Sequence, residues 1–156
     1  MSLYPTFYHV GQATASVYSG LLSAMAIYNL QKHKDQTEQA AQYSNIAANQ
    51  LHKTRTTQTS GALATLSSLG SAVYLAATQE SDSKTTMFLL SSVNSLCMAL
   101  AYRHLTNFWH GKAKVPLMTD YNDGITISNR LRYFLIGLSA SWALIAVVYL
   151  WETNSG

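Results

Sequence analysis

The chain has 156 residues, only 11% of them Asp, Glu, Lys or Arg, and a formal net charge of +3. That charged share is less than half that of an ordinary soluble domain, which argues against a water-soluble globule. The isoelectric point near 9.0 is no mark of nucleic-acid binding either, because the cations form two bands with no aromatic-interleaved patch or binding motif.

Nine of the ten Lys and Arg residues fall within residues 32–55 and 103–132, while residues 1–31, 56–79, 85–102 and 133–151 carry no charge. Each uncharged stretch is long enough for a helix to cross a hydrocarbon core of about 30 Å at about 1.5 Å per residue. The expectation is an all-α integral membrane protein. It is an antiparallel four-helix bundle in a single domain, residues 1–156, with spans near 10–30, 59–78, 86–105 and 133–151. A mean hydropathy of only +0.03 reflects first and second spans rich in Ala, Gly, Ser and Thr, which need partners to stay inserted. The spans are too long for barrel strands and lack period-2 alternation, and neither Pro5 nor Pro116 falls inside one.

In the first span Gln12, Ser16, Ser19, Gly20 and Ser23 share a helical face. No basic segment precedes it and no small-residue cleavage site follows, so it reads as a retained span. Asp35 with Glu38 three residues on resembles a capping box, and no Gly or Pro intervenes before Gly61. The second helix is therefore expected to begin near residue 36 and to project roughly 30 Å beyond the bilayer. Within its span Gly61, Thr65, Ser68 and Ala72 line up, as do Ser91, Asn94, Ser95, Met98 and Tyr102 in the third. Asn94, an amide near mid-span, requires a hydroxyl, a neighbouring helix or a cavity.

Residues 106–129 read as a connection, with turn signals at Val115-Pro116 and Asn122-Asp123-Gly124 and Ser128 as a cap for the last helix. The fourth span offers Gly137, Ala140, Ser141 and Leu144 as its inward stripe. Small residues permit close helix contact, and the polar ones bond across it. Tyr4, Phe7, Tyr8, Tyr28, Tyr102, Trp109, Tyr133, Tyr149 and Trp151 suit interfacial aromatic belts.

The cations lie in the first and third connections. Cationic loops stay on the cytosolic or matrix side, so both termini are expected on the opposite, non-cytosolic face of an endoplasmic-reticulum or inner mitochondrial membrane, with anionic headgroups near the basic loops. Antiparallel spans gather His33, His52, Arg55, Arg103, His104 and His110 at that face. Imidazoles there can act as bases near neutral pH or as metal ligands. No HxxxH, HExxH or paired-carboxylate motif defines a metal set, however, and no phosphate-cradling glycine loop, GxSxG or CxxC implies a cofactor or a soluble-enzyme mechanism. The lone Cys97 excludes an internal disulfide. Asn94, Tyr102, Arg55 and Arg103 are the candidate ligand-binding residues.

Four spans in about this length, Ser19-Gly20 in a small-residue first span, Thr106-Asn107 after the third, and Asn129-Arg130-Leu131-Arg132 leading into the fourth resemble the fungal anthrone-oxygenase-like family of small integral membrane proteins. The resemblance implies cofactor-independent oxidation of an aromatic polyketide, with a base deprotonating the substrate. His104, His52 and Asn107 are the candidates for that chemistry by position. The topology is also similar to that of membrane-associated eicosanoid and glutathione metabolism proteins. There Arg, Asn and Glu recur along the second span; here Arg55 is followed by Thr56, Thr57, Gln58, Thr59 and Ser60 without an acid, which argues against glutathione binding.

Two functions are therefore carried forward: a membrane bundle hosting a lipophilic small molecule, as an enzyme or otherwise, and an accessory subunit of a larger membrane complex. Expected partners are the bilayer, a lipophilic ligand, and a second copy or complex subunits. A transporter ranks third, because no intramembrane charge or helix-breaking Gly/Pro pair marks a pathway.

Overall fold

In lipid every backbone polar group must find its partner within the chain, and the architecture is helical accordingly. The computed structural model describes residues 3–32, 38, 42, 45–78, 83–114, 116–117 and 119–155. Its long helices are α1 (Leu3–Gln31), α2 (Asn45–Thr78), α3 (Lys84–Trp109) and α4 (Thr119–Ser155). The proposed Asp35 cap lies outside the described residues.

Local sequence sets the α3 boundaries. Ser83, extended at φ −70° and ψ 143°, caps its start by accepting from the Thr86 N–H at 3.2 Å. At its end the His110 N–H returns to the Thr106 carbonyl at 3.0 Å, and Gly111 follows with φ 79°, a left-handed conformation that glycine adopts without a Cβ penalty.

The expected turn at Asn122-Asp123-Gly124 does not form. The α4 helix begins at Thr119 and runs straight through it, so Ser128 is a buried mid-helix residue rather than a cap. Packing overrides local preference here, and Gly124 is what permits it: a Cβ built at this position would lie 2.9 Å from Leu30 Cδ2, so α1 and α4 meet over a missing side chain.

Each helix packs against its sequence neighbours, and α1 closes the ring against α4. Contacts descend in antiparallel register, with His9 against Tyr149, Gln12 against Ser141 and Leu30 against Gly124 between α1 and α4. The ends of α1 and α4 nearest the termini therefore share one end of the bundle.

Polarity is inverted relative to a soluble bundle. His9, Gln12, Ser16, Ser19, Ser23, Thr65, Ser68, Ser91 and Asn94 are buried, whereas Phe7, Leu21, Leu66, Val73, Leu96, Leu144 and Val147 are exposed. A water-soluble helix buries its apolar stripe; this arrangement matches a hydrocarbon solvent, in which polar groups gain by turning toward one another. Three helices are long and apolar enough to cross a membrane, over Ala48–Thr78, Lys84–Trp109 and Thr119–Ser155. α1, at 29 residues, has the length but not the mean apolarity, because its inward stripe is polar.

The stripes expected on α1, α2 and α3 face inward or border the interior. The one expected on α4 does not: Gly137, Ala140 and Leu144 are exposed and Ser141 is half-buried. Leu131, Leu135, Leu138, Trp142, Ile145 and Tyr149 occupy the core instead. Volume accounts for the difference, since small inward residues on α1 and α2 leave space that large α4 side chains fill. For the same reason Trp109 and Tyr149 are core residues rather than members of an aromatic belt, while Tyr4, Phe7, Tyr28, Tyr133 and Trp151 remain exposed.

Candidate functional site

The antiparallel register brings the N-terminal part of α2, the C-terminal part of α3 and the start of α4 to the end of the bundle that carries the basic connections. His52, Arg55, Arg103, His104, Asn107, His110 and Arg130 are exposed there; His33 lies outside the described residues. They share an end without forming a cluster. Arg55 pairs with Glu38, Lys32 meets Asp120 at 3.5 Å, and His52, His104 and Asn107 make no side-chain hydrogen bond among the described residues. No three His, Cys, Asp or Glu side chains among the described residues come together as a metal set.

Two of these residues border depressions: Arg55 lines one of about 340 Å³ between α1 and α2, and His104 borders a larger groove. Between α2 and α3, Leu63, Ala64, Ser67, Cys97, Leu100 and His104 line an open depression of about 710 Å³. Its origin is compositional: Ser60, Ala64 and Ser67 on one helix face Cys97 and Ala101 on the other, and no large side chain fills the gap. The walls are apolar and the imidazole sits toward the basic end. This shape fits the body of a lipophilic molecule with its polar end at His104.

Asn94 lies deeper on the same pair of helices and is 1% exposed. Its amide donates to Ser71 Oγ at 2.8 Å and to the Leu90 carbonyl at 2.9 Å, and its oxygen accepts from Ser67 Oγ at 3.2 Å. With donor and acceptor both engaged, Asn94 ties α3 to α2. Tyr102, half-buried, packs against the core.

The interior holds a further polar assembly built around His9, fully buried on α1. Its Nε2 lies 2.6 Å from the Tyr149 hydroxyl and its Nδ1 2.8 Å from Gln12 Oε1. The Gln12 amide donates to Ser141 Oγ at 3.0 Å, and the Tyr8 hydroxyl donates to the Ser141 carbonyl at 2.8 Å. One turn deeper, Ser68 Oγ accepts from the Trp142 indole at 2.8 Å and lies 2.7 Å from Ser16 Oγ. These bonds join α1, α2 and α4 at the end opposite the basic connections. The sequence reading overlooked His9, although the signal was present: residues 9, 12, 16, 19 and 23 alternate spacings of three and four, and His9 opens the stripe that begins in that reading at Gln12.

No family model, curated protein or solved structure matches the chain.

Proposed function

We propose that this is a four-span membrane protein that holds a lipophilic small molecule in the α2–α3 groove, with His104 as the group meeting the ligand's polar end. The observation that supports this reading most is the groove itself, apolar along its length and ending at an imidazole with no partner among the described residues. α1 serves as the remaining span: its outer face presents Phe7, Val10, Val17, Leu21 and Met25, and His9, Gln12 and Ser16 of its polar stripe bond to α4 and α2. Both termini lie opposite the basic connections, which face the cytosol or matrix of an endoplasmic-reticulum or inner mitochondrial membrane.

As an enzyme, the protein uses His104 as a general base that takes a proton from an acidic C–H of an aromatic substrate. With dioxygen as the oxidant, one oxygen atom enters the product as a carbonyl and the other leaves as water, and no cofactor is needed. His52 and Asn107, exposed near the same end, bind the part of the substrate that protrudes from the groove; Arg55, Arg103 and Tyr102 are not among the residues that line it. The test is anthrone consumption by purified protein in detergent micelles. His104→Ala should lower the rate by about tenfold or more with unchanged melting temperature, whereas equal rates remove His104 from the mechanism.

The second reading, an accessory subunit, draws support from α1, the one long helix among the described residues with no stretch apolar enough to qualify as a membrane span by itself, which would gain from a neighbouring protein. Recovery from mild detergent distinguishes the two: a stable monomer or small symmetric oligomer favours the ligand-binding bundle, and recovery only alongside other proteins favours the subunit.

A further inference from the structure

Arg132 is only 8% exposed, although it belongs to the helix segment expected to anchor at the headgroups. Its surroundings follow from the α3–α4 register. Ser95 and Ser139 clasp each other across the seam, each hydroxyl donating to the other's carbonyl, at 3.0 and 2.9 Å. Seven residues along each helix from that clasp, two turns on the same faces, set Arg132 opposite Tyr102. Four residues further, Thr106 comes opposite Ser128 and its neighbour Asn129. Side chains lean toward the N-terminus of their own helix, which directs the Arg132 guanidinium to the level of Thr106 and Asn129 and toward the basic end.

Three polar atoms at this level are buried with no hydrogen-bond partner: Arg132 Nη1, Thr106 Oγ1 and Asn129 Oδ1. No carboxylate among the described residues pairs with Arg132: Asp120, Glu38 and Glu152 engage Lys32, Arg55 and Lys84, and Asp123 is exposed. The guanidinium carbon lies over the Tyr133 ring, 5.7 Å from its centroid, a contact that leaves the charge without a counter-ion. Burying an unpaired charge carries a desolvation penalty of several kcal/mol. A cation held this way together with unsatisfied hydroxyl and amide groups is incomplete without an anion.

We infer that the α3–α4 seam at the basic end binds the phosphate of an anionic membrane lipid, with Arg132 as the principal ligand. The planar guanidinium presents two parallel N–H groups to two phosphate oxygens, and the Thr106 hydroxyl donates to a third. The Asn129 amide, turned about its last torsion, offers its NH2 on the same side. The lipid chains extend along the exposed apolar face of α3, where Leu89, Val93 and Leu96 point outward. This site is distinct from the α2–α3 groove and stands whether or not the small-molecule reading does.

The experiment uses the full chain in dodecyl maltoside, a detergent without phosphate, titrated with dioleoyl phosphatidic acid and followed by native mass spectrometry and thermal unfolding. The wild type and R130Q, which alters an exposed neighbour, should bind the lipid and melt at higher temperature with it. R132M should bind about tenfold more weakly or worse, the loss expected for one charge-assisted pair. Without lipid, R132M should melt no lower than the wild type, because it removes a buried charge that has no internal partner. Equal binding by R132M overturns the proposal, as does an equal effect of inorganic phosphate at the same concentration. A lower melting temperature of lipid-free R132M also overturns it, since that would show Arg132 to be paired within the fold.

Discussion

His9 Nε2 and the Tyr149 hydroxyl lie 2.6 Å apart, joining the first helix to the last across 140 residues of chain. The two rings lie end to end and close to one plane, with centroids 6.1 Å apart and planes at 19°, and the His9 ring lies 5.9 Å from Trp142. The contact is therefore both a hydrogen bond and an aromatic seal at the end opposite the basic connections.

Removing the Tyr149 hydroxyl leaves His9 Nε2 buried and unsatisfied. Tyr149→Phe should destabilise the protein by about 1–3 kcal/mol, read from chemical or thermal unfolding in micelles. The double variant with His9→Phe should cost clearly less than the sum of the single changes. Strict additivity would show that the two groups are not coupled.

Asn94 makes a similar case on the other side of the bundle. Asn94→Leu should cost about 0.5–2 kcal/mol, and Ser71→Ala in that background should add little, since its partner is already gone. A large additional loss from Ser71→Ala would mean that the serine has a separate structural role.

The glycines of α4 separate into two kinds. At Gly124 a Cβ would meet Leu30 Cδ2 at 2.9 Å and Cγ at 3.0 Å, so Gly124→Ala should destabilise by about 1–3 kcal/mol, the usual cost of overpacking. At Gly137 nothing lies within 4 Å, and Gly137→Ala should be neutral or stabilising by up to about 1 kcal/mol. Comparing the two melting temperatures checks the α1–α4 contact directly.

Single cysteines introduced near Ser44 and near Ser155, in a Cys97→Ser background, should react with an impermeant maleimide from opposite sides of sealed vesicles. Labelling of both from one side would break the proposed topology.

Much of the architecture was legible because lipid leaves few choices: uncharged stretches of span length, basic connections and small-polar stripes at helical spacing predict an antiparallel bundle with a polar interior. Asn94 was readable as a paired amide since its cost in hydrocarbon requires a partner. The α4 inward face was not legible, because small residues at Gly137 and Ala140 look like a packing stripe until one knows that Trp142 and Tyr149 must fill the space left by Ser16, Ser68 and Ala72. The turn signal at Asn122-Asp123-Gly124 failed for a related reason, since a glycine that permits a bend also permits close helix approach, and Leu30 is too distant in sequence to reveal which applies. The shared location of His52 and His104 at one end was predictable from topology. Their separation into independent exposed groups depends on side-chain direction, which charge pattern does not encode.

The polar stripe of α1 has a consequence for biogenesis. Its imidazole, its amide and the Ser16 hydroxyl are matched by side chains of α4 and α2, and of the four helices α4 leaves the ribosome last. Until then His9 and Gln12 have neither Tyr149 nor Ser141 to meet. The first of the four helices made is thus the latest of them to be secured, and it needs shelter at the translocon, or from a membrane chaperone, until the fourth emerges.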